Sequence, residues 1–137
     1  MTPSPPAVPR PGQLTTGWRY ATGAMWFLVF VAYCGVWKAS RELGLATWWL
    51  GPVSDPQPIF VMLLPFVGPA AMVIATLANV RRLPWYGLVA SAAAMLIALP
   101  DLDRVRRLGI AELAIAIAAA LVSIAGFGGT YRRVATP

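Results

Sequence analysis

The sequence predicts an all-α membrane protein, built as a four-transmembrane-helix bundle, and three observations carry that expectation. First, 58% of the 137 residues are hydrophobic and only 12% are charged, with mean hydropathy +0.67. A soluble domain carries about a quarter charged residues, so this chain has too little polar surface to wrap a core in water. Second, four apolar runs recur, at about 20–36, 59–79, 84–100 and 109–127. A helix rising about 1.5 Å per residue crosses the hydrocarbon with about 17–25 residues. Third, none of these runs alternates apolar with polar residues as a barrel strand does. In lipid only helices and closed barrels satisfy their own backbone.

The first element is the segment 1–17, where "MTPSPPAVPRPG" places five prolines among eleven residues without apolar periodicity. It is expected to be a disordered cytoplasmic tail. The transmembrane domain then occupies 18–131, and 132–137 form a short C-terminal tail. In the first run, "VAYC" at 31–34 departs from a lipoprotein box, because Tyr33 stands where a small residue is wanted. The first helix is therefore expected to be retained. Cys34 is the single cysteine, so no intrachain disulfide can form. Trp18 and Trp37 are 19 residues apart. That is about 28 Å along a helix, and it frames the run as a pair of interfacial anchors.

Between the first two runs, Ala39, Leu43, Ala46 and Leu50 recur at helical spacing. A short interfacial helix is predicted in the 38–50 segment, with Trp48 and Trp49 at headgroup level. Gly51-Pro52 would end it, and Asp55-Pro56 would cap the start of the second transmembrane helix. Within that helix Pro65, Gly68 and Pro69 mark a candidate break. Each proline removes an amide donor, and discontinuous helices host substrates and ions in transporters. A simple packing kink is the commoner use.

"VRRL" at 80–83 is a tight turn that makes the second and third helices antiparallel neighbours. Arg81, Arg82 and Trp85 anchor this edge, as Arg132 and Arg133 anchor the end of the fourth helix. "DLDRVRRL" at 101–108 sets Asp101 and Asp103 beside three arginines, which reads as a solvated ion cluster. Glu112 is the one acid inside an apolar run. Intramembrane carboxylates are costly and serve as proton or ion sites. Its place near a helix start, close to Arg106 and Arg107, favours a capping role instead. Small residues line up as Gly87, Ser91, Ala94 and Ala98, as Gly68, Ala71 and Ala75, and as Ala119 and Ser123. Such faces let helix backbones approach closely.

With both termini cytoplasmic, that side carries Arg10, Arg19, Arg81, Arg82, Arg132 and Arg133, against Lys38, Arg41, Arg104, Arg106 and Arg107 outside. Six against five favours this orientation by the positive-inside rule. All five acids fall on the outer side. Ten arginines to one lysine, with abundant alanine, suggest a bacterial source.

The chain has no histidine, which removes the commonest general base and a bis-histidine haem. No nucleophile elbow, phosphate loop or thiol site is present, so neither catalysis nor any cofactor or metal is expected. Scattered arginines without a groove-reading element argue against nucleic acid. The leading expectation is a small non-catalytic integral membrane protein of the bacterial plasma membrane, an accessory or scaffolding subunit among membrane lipids and other transmembrane subunits. Two alternatives stand beside it. One is a small homo-oligomeric transporter or channel using the Pro65/Pro69 break and Glu112. The other is a lipid- or quinone-binding anchor roofed by Trp48 and Trp49.

Overall fold

The computed structural model describes residues 10–131, and among them it is all-helical, with no strand beyond one isolated bridge. The elements are α1 (Thr16–Leu43), α2 (Ile59–Met62), α3 (Leu64–Leu77), α4 (Leu83–Arg104) and α5 (Arg106–Gly126), closed by a 3₁₀ turn (Phe127–Gly129). Three helices are long and apolar enough to cross a membrane: α1, α4, and α5 with its terminal turn. The shorter α3 is equally apolar. Packing runs α1 to α3, α3 to α4, α4 to α5 and α5 back to α1, so the four close into a ring.

The inward faces explain the ring. In α1 the buried positions are Thr22, Trp26, Val29, Tyr33, Val36 and Ser40. In α4 they continue from Gly87 through Ser91, Ala94 and Ala98 to Asp101. In α5 they run Gly109, Glu112, Ala116, Ala119, Ser123 and Gly126. The spacing alternates three and four, the seam that keeps one face toward a neighbour in left-handed helix packing. The small-residue faces of the third and fourth predicted helices are therefore inner surfaces. On α3 the inner face is instead Pro65, Phe66, Pro69, Met72 and Thr76, while Ala71 points outward.

The polarity of the molecule is turned outward-in. Phe27, Val67, Val89, Leu96 and Leu121 are among many large apolar side chains left exposed, while Thr22, Ser40, Thr76, Ser91 and Ser123 are buried. The inner hydroxyls of Thr76, Ser91 and Ser123 each donate to the carbonyl four residues back, on Met72, Gly87 and Ala119. They need no partner from another helix, so they cost little in an apolar interior.

The helix boundaries differ from the sequence expectation in several places; α2 begins at Ile59 after Pro58, so Asp55-Pro56 does not cap it. The predicted interfacial helix does not exist: α1 runs on to Leu43, and residues 44–58 form turns. Gly44 is the reason, since it takes φ 66° and donates to the Ser40 carbonyl, a glycine C-cap. The second apolar run is interrupted at Leu63, between α2 and α3, two residues before Pro65. Pro65 has no amide to donate to Val61, so the helix loosens in the preceding turn; Pro69 rides inside α3 without ending it. Finally, α4 does not stop at Pro100 but continues through it to Arg104.

Residues 10–15, assigned by composition to the tail, cross the end of the ring. Gly12 N–H donates to the Tyr131 carbonyl at 3.0 Å, Thr15 to Gly129 at 2.9 Å, and Arg82 to Gly12 at 3.0 Å. Leu14 is buried there. Residues 16–17 of the predicted tail open α1, while residues 1–9, the C-terminal tail and the anchors Arg132 and Arg133 lie outside the described residues.

Candidate functional site: a buried pair of carboxyl groups

Asp101 and Glu112 are both wholly inaccessible to solvent, at 0% exposure. Asp101 is the last inward position of α4 and Glu112 the second of α5. The short link between these helices folds them side by side, and Gly109 sets how closely. A Cβ at Gly109 would lie 2.6 Å from both the Asp101 carbonyl carbon and the Leu102 nitrogen. Only glycine permits that approach, and Glu112, one turn further along α5, then comes to face Asp101. The two carboxyl groups are neighbours, because adjacent residues of one segment, Trp48 and Trp49, reach both of them.

The 44–58 segment supplies the donors. Trp48 N–H donates to Asp101 Oδ1 at 2.8 Å, and Trp49 Nε1 donates to Glu112 Oε1 at 3.0 Å. Trp48 also gives its indole N–H to the Ile97 carbonyl at 2.7 Å. That carbonyl lies one turn before Asp101 on α4. The segment is drawn inward by its own bonds as well. Arg41 donates from Nη1 to Gly51 O and from Nη2 to Leu50 O, both at 3.3 Å. Gly51 at φ 66° makes the turn possible, because a Cβ there would meet the Asp55 carbonyl at 2.9 Å.

Aromatic rings fill the space beneath. The Trp49 ring is 6.0 Å from Trp37 and 6.1 Å from Phe66, and Phe66 in turn touches Phe30 and Tyr33. Edge-on contacts at these distances suit aromatic quadrupoles. Trp49 is fully buried. It is not a headgroup anchor, because its indole N–H has a carboxylate to reach inside the ring. Trp48, half-buried, straddles the boundary; Trp18 and Trp37 are half-buried and Trp85 is exposed.

The site differs from the expectation in its acids. Asp101 does not belong to a solvated ion cluster; Asp103, Arg104, Arg106 and Arg107 are exposed, but Asp101 turns inward. Glu112 sits six residues inside α5 and is held by a tryptophan rather than by Arg106 or Arg107. Pro65 and Pro69 lie on the inner face of α3, on the Phe66 side of the aromatic cluster. Sequence reasoning missed Asp101 and the partnership with tryptophan. A signal for Asp101 was present: extending the stripe Gly87, Ser91, Ala94, Ala98 by one more step of three lands on it.

One oxygen of each acid, Asp101 Oδ2 and Glu112 Oε2, accepts from no N–H or hydroxyl, and the buried Thr47 and Tyr33 hydroxyls have no partner either. Two neighbouring buried carboxyl groups cannot both stay ionised without a large cost, so one of the pair can hold a proton while the other keeps its charge. Among the described residues no group of three or more metal-ligating side chains occurs.

Fold and site together define an all-helical protein with three candidate spans, an apolar exterior and an acid pair sealed inside. Compared with protein-family models, curated proteins and solved structures, the chain matches none.

Proposed function

We propose that this is a non-catalytic plasma-membrane protein of four transmembrane helices, the fourth span being α2 and α3 taken together, that carries protons through the Asp101–Glu112 pair. The reading makes it a small proton-conducting or proton-coupled carrier with both termini cytoplasmic. One observation carries it: two fully buried acids face each other with one oxygen each lacking any N–H or hydroxyl donor. Charge within a membrane is costly enough that intramembrane acids usually serve proton or ion transfer. Sharing one proton halves that charge and leaves a group able to accept or release it. The helix break at Leu63 lies near the Phe66–Trp49 contact at the same end of the ring, and movement of the Trp48–Trp49 segment would open the pair to the outer surface.

The test is proton flux in proteoliposomes, driven by a potassium gradient with valinomycin and read by an entrapped pH dye. Wild type should acidify or alkalinise the lumen with the potential, and the double variant D101N/E112Q should fall to the level of empty liposomes. Flux that survives the double substitution removes the proposal.

A second reading is an accessory or scaffolding subunit of a larger membrane assembly. It is supported by the small share of described residues outside the helices. The small-residue faces of α4 and α5 no longer support it, since the chain uses them to pack on itself. Purification in mild detergent that yields this chain alone would remove it.

A further inference from the structure

The end of the ring remote from the carboxyl pair has a groove that the proposed function does not use. It runs between α1 and α3, with a volume of about 460 Å³, and is lined by Arg19, Tyr20, Gly23, Phe27, Val73 and Leu77. Gly23 provides its floor: a Cβ there would already crowd Thr76 Cγ2 at 3.1 Å. Its walls are apolar and open outward, with Phe27 58% and Leu77 79% exposed.

Arg19 stands at one end of this apolar trough. Its guanidinium carbon lies 5.6 Å from the centre of the Tyr20 ring. Among the described residues no carboxylate pairs with it; the one ion pair there is Lys38–Glu42, at the opposite end of α1. Nor can an acid reach it easily. Glu42, Asp55, Asp101, Asp103 and Glu112 all belong to the other end, while Arg10, Arg81 and Arg82 share the end with Arg19. An unpaired cation above an apolar slot, in a region with cations and no acids, complements an amphiphile with an anionic head and a hydrocarbon tail. Near-surface arginines attract such headgroups, and a flexible acyl chain follows a narrow groove that a side-chain-bearing helix would fill poorly.

We infer that this groove binds an anionic glycerophospholipid, with one acyl chain along the Phe27–Val73 wall and the phosphate at Arg19. A zwitterionic lipid brings its own cation, which competes with Arg19 for the phosphate, so it binds more weakly. The inference is independent of the carboxyl pair.

Native mass spectrometry of the full chain in mild detergent tests it, titrating phosphatidylglycerol against phosphatidylcholine with identical acyl chains. Phosphatidylglycerol should give a retained one-to-one complex and phosphatidylcholine a weaker one. Arg19→Gln should weaken phosphatidylglycerol binding about fivefold, the scale of one near-surface cation acting on an anionic headgroup. Ala24→Phe fills the groove from its exposed wall and should weaken both lipids. Arg106→Gln, the same charge change at the other end, should leave binding as in wild type. Equal retention of the two lipids, or equal losses in Arg19→Gln and Arg106→Gln, would mean general solvation by lipid and overturn the inference. A dimer that Ala24→Phe dissociates would assign the groove to a second copy of the chain and overturn it too.

Discussion

The two ends of the helical ring are closed by different chemistry. At the end holding Asp101 and Glu112, closure depends on particular side chains: two tryptophans donate to two acids, an arginine binds two carbonyls, and five aromatic rings fill the interior. At the other end, residues 10–15 are tied by backbone bonds to 129–131 and 82, with the Trp18 ring lying against Gly129. Backbone pairing tolerates almost any side chain that fits. Side-chain pairing does not, because removing one partner leaves the other buried and unsatisfied. The acidic end is therefore specified residue by residue, and the terminal end mainly by the path of the chain.

That contrast can be broken most sharply at Trp49. Trp49→Ala removes a fully buried ring and the donor to Glu112, and should cost about 3–5 kcal/mol of stability in a detergent unfolding titration. The glycines come next and compare the ends directly. Gly109→Ala drives a Cβ into backbone of the neighbouring helix, with nothing free to turn away, and should cost about 1–3 kcal/mol. Gly129→Ala has the Trp18 ring as its nearest obstacle, a side chain rather than backbone, so its cost should be smaller than that of Gly109→Ala in the same assay. Equal losses at the two glycines would undo the contrast. Smallest is Ser123→Ala. Its hydroxyl bonds only to its own helix, so the change should stay within about 0.6 kcal/mol of wild type.

The elements themselves were largely legible. The starts of α2, α4 and α5 fall within three residues of the apolar runs, because a long apolar stretch in lipid has few alternatives to helix. The stripe from Gly87 to Ala98 and the pair Ala119 and Ser123 were legible as packing faces, and they face inward. What misled was local context. Asp101 stands among arginines in the sequence, so it reads as solvated; yet those arginines are exposed while Asp101 turns inward. "ATWWL" has apolar residues at helical spacing, so it reads as a surface helix, but Gly44 ends α1 before it and the chain folds into turns.

The sequence by itself determined the helices and their apolar character, since composition and run length decide whether a segment can leave water and how its backbone must then bond. It also marked the inner faces through their small residues. Tertiary structure alone decided the site. Glu112 lies eleven residues from Asp101 and 63 from Trp49, and no spacing rule connects them. Their meeting depends on how far α4 continues past Pro100, how closely Gly109 lets α5 approach, and which way the turns after Gly44 fold. Each is a property of packed surfaces in three dimensions, where a buried carboxyl must find a donor wherever the chain happens to bring one.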